Sequence, residues 1–119
     1  MSGLKMLSAI QKFRKYDADI QSQTIAIFLY VAIHSQGKFA DTGVPMTAIA
    51  DDLDMAQSSV SRNVSILAKW KWNRSEGLNF VETREDPMER RRKLVSLTNR
   101  GKRLYDSLIA LRYGKEVYT

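Results

Sequence analysis

The sequence contains no cysteine, a single histidine and no long hydrophobic run. Without cysteine the chain has no disulfide, thiolate metal site or cysteine nucleophile, which suits a reducing compartment. The longest apolar run, at 25–33, is roughly half of what a membrane-spanning helix needs, and the N-terminus lacks the basic-then-apolar pattern of a signal peptide. We therefore predict a soluble, cytoplasmic protein that does not contact a membrane.

Few residues carry the chemistry of an enzyme or a metal site. His34 lies at the end of a predicted buried helix, and no serine or carboxylate pair accompanies it at a motif spacing. Asp51, Asp52 and Asp54 are close in sequence, but neighbouring residues of a helix point in different directions, and the loop pattern of a calcium site is absent. We predict a role for His34 in packing or at the helix end, a solvated acidic turn, and a protein that is not an enzyme and has no metal or cofactor.

Basic charge is concentrated in the second half of the chain. The 119 residues suffice for one domain, 1–119, with one core, and they carry 19 basic and 13 acidic side chains. Residues 1–59 hold 5 basic and 6 acidic side chains, a net of −1, whereas residues 60–119 hold 14 and 7, a net of +7. This asymmetry is typical of a phosphate-binding surface, although many proteins with a moderately basic surface bind no nucleic acid.

Apolar spacing predicts three helices and a short strand in the first half. A first amphipathic helix within 1–16 is indicated by residues at near-helical spacing, and a second, buried helix by a row with intervals of three and four. A short strand near Val44 and Met46 precedes a third helix from about Ala48 to Leu53, with Thr47 as its cap. The two apolar rows are Leu4, Leu7, Ile10 and Phe13, and then Ile20, Thr24, Ile27, Phe28 and Val31.

The segment 47–70 has the pattern of a helix-turn-helix, with a tight turn near 54–57. Val60, Val64 and Leu67 share one side of its second helix, which we place at about 57–70. Small polar side chains on the other side suit a helix that lies in the major groove of DNA, with Arg62 as the base reader. The alternative is a serine-rich helix face that is only solvated. The polar face comprises Gln57, Ser58, Ser61, Arg62 and Ser65.

The segment 86–101, DPMERRRKLVSLTNRG, predicts a β-hairpin followed at once by a helix. Residues 93–97 alternate, with Val95 and Leu97 on one side of a half-buried strand and Leu94 and Ser96 on the other. Thr98 is placed to cap the helix 99–112. Three consecutive arginines at 90–92 must project into water or onto an anionic partner. We predict a mainly α fold with a small antiparallel β wing, whose phosphate contacts come from Arg84, Arg90, Arg92, Lys93, Lys69 and Lys71.

In its order of motifs the chain resembles the MarR family of winged-helix transcription factors. The wing pattern is carried by Asp86, Pro87, Glu89, Arg90, Arg91, Leu97, Thr98 and Gly101. The resemblance implies a bacterial or phage-encoded regulator with a DNA-binding core at 44–98, a wing at 78–98 and dimerisation helices at 1–16 and 98–113. It implies a homodimer on double-stranded DNA of near-palindromic sequence, with the best-matched wing arginine, Arg91, in the minor groove. The residues that it implies for the major groove are Ser58, Ser59, Ser61, Arg62 and Ser65.

Four features depart from the family pattern. Glu89 replaces the usual aspartate that pairs with the wing arginine, although the longer carboxylate can also pair, and Ala56 replaces the usual polar cap of the recognition helix. An insertion of about six residues, within KWKWNRSE, implies a longer helix or a bulging loop. The sequence ends at Thr119, where the family continues into a further dimerisation helix. Family members often bind small aromatic effectors, but no residue here specifies one.

Two surfaces have more than one interpretation. Leu104, Leu108 and Leu111 form one stripe that, together with the row of the first helix, either makes a homodimer or closes the core of the monomer. Trp70 and Trp72, among basic residues, either stack single-stranded bases or pack beneath the sheet, and the inserted segment alternatively binds a second protein. For the whole protein, the alternative function is a winged-helix module that docks on an acidic protein surface, such as a polymerase subunit.

Overall fold

The computed structural model describes residues 2–71 and 74–111, and within them the chain forms five helices and a three-stranded sheet. This confirms the prediction of a mainly α fold with a small antiparallel wing. No helix in the described part of the chain has the length and hydrophobicity to cross a membrane. The elements are α1 (Gly3–Tyr16), α2 (Ser22–His34), β1 (Val44–Pro45), α3 (Met46–Asp52), α4 (Gln57–Leu67), β2 (Val81–Asp86), β3 (Glu89–Leu97) and α5 (Asn99–Ile109).

Helix α2 forms the centre of the core, as its apolar row predicted. Ile27, Phe28 and Val31 have no solvent-exposed surface. The Phe28 ring packs edge-on against Phe13 of α1, with centroids 5.6 Å apart, and against Phe80, with centroids 5.8 Å apart. Such edge-to-face pairs add to the free energy of burying the rings. The helix thus joins α1 to the segment that leads into the wing.

The sheet has the strand order β1-β3-β2, and both pairings are antiparallel. Val44 pairs with Val95, which confirms the predicted short strand. The half-buried pattern predicted for β3 was wrong at Leu94, which is only 3% exposed. The reason is tertiary, because the connection between α2 and β1 covers the outer side of the sheet, where Phe39 and Pro45 share a hollow with Leu94.

The start of α5 explains the spacing of Thr98 and Gly101. The Thr98 hydroxyl accepts a hydrogen bond from the Gly101 backbone N–H at 3.0 Å, as its predicted capping role requires, and donates to the Asn79 carbonyl at 2.8 Å. A Cβ atom at Gly101 would lie 2.0 Å from the Phe80 carbonyl oxygen. The helix can therefore pack this closely on the segment before β2 only with glycine at this position.

Two predicted helix boundaries were displaced. Thr47 is not the cap of α3, which begins at Met46 after Pro45, because β1 passes directly into the helix. The recognition helix α4 ends at Leu67 and not near residue 70, and the chain then turns into a hairpin. Helix α5 is described up to Ile109, and the predicted end at Arg112 lies outside the described residues.

Candidate nucleic-acid interface

The inner side of α4 is fixed by apolar packing and by one buried polar network. Val60, Val64 and Leu67 are buried, as their spacing predicted. Asn63, 5% exposed, lies among them and accepts a hydrogen bond from the Thr24 hydroxyl at 2.6 Å. Its amide nitrogen donates to the Ser59 carbonyl at 2.8 Å. Sequence reasoning missed Asn63, although a polar residue three positions after Val60, and Thr24 within the apolar row of α2, were its signal.

The outer side of α4 carries the polar face that the sequence predicted. Gln57, Ser58, Ser61 and Arg62 are exposed, whereas Ser59 and Ser65 are half-buried. Three of the six residues from Ser58 to Asn63 are serines, so most side chains on this face are short. Short hydroxyl side chains allow a helix backbone to approach base edges closely, and a single arginine provides a bidentate donor.

The turn before α4 is well formed, but the helix begins without a side-chain cap. Asp54 adopts the left-handed conformation with φ 53°, and Met55 N–H donates to the Ala50 carbonyl at 2.9 Å, which ends α3 in a Schellman-type turn. Met55 packs against the core. Ala56 precedes α4 with φ −64° and ψ 145°, and it offers no capping oxygen, as the sequence indicated.

The other end of α4 is held by the residues that follow the insertion. The described residues 68–71 and 74–79 pair as a short hairpin, the hairpin 68–79. The return side of this hairpin donates backbone N–H groups to the last carbonyls of the helix, Leu78 to Ile66 at 3.0 Å and Phe80 to Leu67 at 2.8 Å. A Cβ atom at Gly77 would lie 2.0 Å from the Ala68 carbonyl oxygen. The bulging-loop interpretation of the insertion was therefore correct and the longer helix was wrong. Trp72 of the predicted aromatic cluster lies outside the described residues.

Helix α3 is tied to α2 by a phenol and a carboxylate. The Tyr30 hydroxyl donates to Asp52 Oδ2 at 2.5 Å, and the His34 ring packs on Tyr30 with centroids 4.2 Å apart. Burial, then the hydrogen bond to Asp52 and its negative charge, raise the pKa of Tyr30 to about 12. His34 has the predicted packing role, and Asp52 orients the first helix of the helix-turn-helix.

At the tip of the wing, three arginines of β3 have no paired residue on β2. Glu85 pairs with Lys93 and Asp86 with Glu89, so Arg90, Arg91 and Arg92 lie between these pairs with no counterpart on β2. Arg90 and Arg91 are exposed, as predicted, and Arg92 is half-buried.

Asp86 organises this tip. One of its carboxylate oxygens accepts from the Met88 N–H at 2.9 Å, and the other lies 3.9 Å from Arg92 Nε. The carboxylate that faces a wing arginine is therefore Asp86, and Glu89 is exposed.

The two faces of the wing have different neighbours. Directly paired residues lie on the same face of a sheet, so Thr83, paired with Val95, and Lys93 share the inner face, whereas Arg84, paired with Leu94, is on the outer face. The inner face and the recognition helix together line one concavity of about 240 Å³, to which α4 contributes Ser61 and Ser65. Helix and wing thus lie on a common side of the molecule.

Arg84 on the outer face is engaged within the protein. Its Nη2 donates to the Thr42 carbonyl at 2.6 Å, which fastens the connection between α2 and β1 to the wing. The guanidinium has five donors and is exposed, so other donors stay available. Of the predicted phosphate-contacting side chains, Arg84 therefore lies apart from the concavity that Lys93 shares with the helix.

The predicted dimerisation residues divide into two groups. Phe13, Leu104, Leu108 and Leu111 are at most 8% exposed and belong to the core of the single chain, whereas Leu7 and Ile10 are more than 40% exposed and Leu4 is half-buried. An apolar groove of about 410 Å³ runs between α1, α2 and α5. Exposed side chains along it include Met6, Ile10, Ile33 and Ile109.

No protein-family model matches the sequence, and a search of curated proteins gave no match. Solved structures do match. MepR, a transcription regulator of the Staphylococcus aureus multidrug efflux pump MepA, is 22% identical with a TM-score of 0.63, and the alignment covers 90% of this chain and 66% of that one. A S. aureus MepR–DNA complex is 21% identical with a TM-score of 0.64, covering 87% and 64%.

The PcaV transcriptional regulator from Streptomyces coelicolor, in complex with its natural ligand, is 20% identical with a TM-score of 0.55, and the alignment covers 76% of this chain and 53% of that one. The chain thus spans less than two thirds of the length of these regulators. The described residues form five helices and a three-stranded sheet, with the recognition helix and the wing on a common side, and the chain has the MarR-like winged helix-turn-helix fold.

Proposed function

We propose that this protein is a sequence-specific double-stranded DNA-binding transcriptional regulator of the MarR type. The observation that carries the proposal is the concavity that the polar side of α4 shares with the inner face of the wing. A helix in the major groove and a wing in the adjacent minor groove straddle one sugar-phosphate strand, which requires both elements on the same side. The excess of basic residues after residue 60 supplies the electrostatic attraction for that strand.

The two elements have different roles in this proposal. Arg62, with Gln57 and the serines of α4, reads base edges, each good bidentate pair giving about 1–3 kcal/mol of discrimination. The wing and its neighbours supply affinity that does not depend on sequence, through Arg90, Arg91, Arg92, Lys93, Arg84, Lys69 and Lys71. Arg91, exposed at the displaced tip, enters the minor groove.

We further propose that two copies associate through the exposed apolar residues of α1, α2 and α5. A groove of about 410 Å³ lined by Met6, Ile10 and Ile33 leaves apolar surface in water, which is typical of interaction sites. Light scattering after size exclusion should give roughly 27 kDa, twice the 13.6 kDa of one chain. A monomer that binds DNA with full affinity would rule out this assembly.

Selection from random-sequence duplexes is the decisive experiment. We expect a near-palindrome with half-site centres about 10 bp apart. A protein that shifts no random duplex at low salt and selects no sequence would contradict DNA binding and would favour docking on an acidic protein surface.

Single substitutions separate the two roles. Arg91→Ala should weaken binding to most duplexes and lower the slope of log K against log salt by about one unit, whereas Arg62→Ala should relax the preference at one base position. Binding titrations at several salt concentrations, combined with selection for each variant, measure both effects. Equal effects of the two changes on every sequence would contradict this division of roles.

A further inference from the structure

The hairpin 68–79 exposes an aromatic ring among basic residues. Trp70 is 59% exposed, which is unusual for a tryptophan in a chain that buries Phe13, Phe28 and Phe80 almost completely. Lys69 next to it, and Arg74 farther along the hairpin, are exposed. Glu76 is the single acidic residue between 68 and 80. The segment therefore has a net positive charge, although Glu76, which is paired with Trp70, lies on the same face as the ring.

The position of this ring is set by the recognition helix. Trp70 lies two residues after the hairpin leaves α4 and forms a bridge with Glu76, and Gly77 N–H donates to the Lys69 carbonyl at 2.9 Å. Together with the bonds from Leu78 and Phe80 to the end of α4, these contacts hold the hairpin to the helix. A residue on this hairpin therefore moves with the recognition helix.

Trp70 also borders the surface proposed for DNA. It lines the same concavity as Ser61 of α4 and as Thr83 and Lys93 of the wing. This concavity is lined by hydroxyl groups, an ammonium group and an indole ring, together with the apolar side chains of Met46, Val64 and Ala68. Hydroxyls, lysine and tryptophan N–H are donors, and phosphate oxygens accept from such groups in protein–DNA complexes.

We propose that the hairpin is a third DNA-contacting element, in which Trp70 contacts the sugar-phosphate strand that runs between the helix and the wing. The indole N–H donates to a phosphate oxygen, the ring packs on the adjacent deoxyribose, and Lys69 and Arg74 add charge on the outer side. A concavity between a helix and a wing fits the ridge of a duplex sugar-phosphate strand. Stacking of single-stranded bases instead requires an open aromatic platform. This inference rests on the proposed function and assigns it an additional contact.

The test uses the full chain and a random-sequence duplex at low salt. Trp70→Ala should weaken binding about tenfold, the equivalent of losing one charge-assisted hydrogen bond, and Trp70→Phe, which keeps a ring without a donor, should also weaken it. Lys69→Ala should lower the salt slope by about 0.9, the value for one phosphate. Lys102→Ala, an exposed charge on α5 away from the concavity, is the matched control and should leave the slope nearly unchanged.

A spectroscopic measurement gives an independent readout. The sequence has two tryptophans, so Trp72→Phe makes Trp70 the single reporter, and its emission should change when duplex is added. Thermal unfolding of each variant separates loss of contact from loss of fold, because an exposed Trp70 contributes little to stability.

Each outcome has one meaning. A wild-type chain that binds no duplex would end the proposed function itself. Wild-type binding that is unchanged by Trp70→Ala, with unchanged Trp70 emission, would overturn only the role of the hairpin. Weaker binding to a single strand with unaltered binding to duplex would overturn it in favour of base stacking.

Discussion

The recognition helix and the wing border one concavity, but the protein holds them in different ways. Helix α4 is fixed from within by Asn63 and Thr24 and at its end by backbone hydrogen bonds from the hairpin 68–79. Beyond its strand ladder the wing is fastened by side chains at the surface, Arg84 to the Thr42 carbonyl and Arg92 near Asp86. The buried contacts make the helix part of the core, whereas the wing depends on the exposed Arg84 bond and on the partly buried pair of Arg92 and Asp86 at its tip.

This difference suits the two proposed roles. Reading base edges requires donors held in fixed positions, because hydrogen bonds weaken steeply with poor geometry. Contacts to phosphates depend mainly on charge and tolerate adjustment of the side chains. We therefore expect substitutions that loosen α4 to reduce both stability and binding, and substitutions in the wing to change binding with little effect on stability.

The largest effect is expected for Gly77→Ala. The new Cβ atom would meet the Ala68 carbonyl at 2.0 Å and push the hairpin off the end of α4, so we expect a loss of about 3 kcal/mol in the free energy of unfolding. Gly37→Ala is the control, because no atom lies within 4 Å of its Cβ position, and it should change stability by less than about 0.5 kcal/mol. Urea unfolding measures both. Equal stability of the two variants would mean that the hairpin does not hold the helix.

Asn63→Ala should cost about 2 kcal/mol, because it leaves the buried Thr24 hydroxyl without its acceptor. Affinity for all duplexes should fall together, since the whole helix shifts. In a double-mutant cycle with Thr24→Val, the two losses should be less than additive. Additive losses would show that the two side chains act independently and that their hydrogen bond does not hold α4.

Ala56→Ser should stabilise the protein by about 0.5–1 kcal/mol. The backbone at Ala56, with φ −64° and ψ 145°, closely matches that of Ser2, with φ −73° and ψ 154°, and Ser2 accepts a capping bond from the Lys5 N–H. The gain is read from thermal unfolding, with Ala18→Ser in an exposed turn as the control. No gain over that control would indicate that the start of α4 is already satisfied by other groups.

The smallest change in stability is expected for Arg84→Ala, below about 0.5 kcal/mol, since its bond to the Thr42 carbonyl is exposed. Binding to a random duplex should weaken less than it does for Arg91→Ala, and the salt slope should fall by less than one unit, because Arg84 lies on the outer face of the wing, away from the concavity. Arg84→Lys keeps the charge and loses the planar fork, so it separates the two contributions. A loss of stability comparable to that of Asn63→Ala would contradict the distinction between helix and wing.

The order of elements was predictable from local patterns. The apolar row around Ile27, the helix-turn-helix with its tight turn near 54–57, and the cap at Thr98 depend on spacing along one segment, and the structure has them as expected. Errors arose where distant segments meet. Leu94 is buried by a connection fifty residues away. Thr47 does not cap α3, because β1, which pairs with the distant β3, runs directly into that helix.

The features of the candidate site also separate into those set by local pattern and those set by contacts between distant segments. The sequence by itself determined which side of α4 is polar and that three arginines stand at a hairpin, because helical and strand periodicity assign each side chain to a face. Only the tertiary structure decided that Lys93 shares a concavity with Ser61 while Arg84 faces away, that Asn63 is a buried anchor, and that the residues after the insertion hold the end of the helix. The physical reason is that these properties depend on distances between segments far apart in the chain, which packing sets and local pattern does not contain.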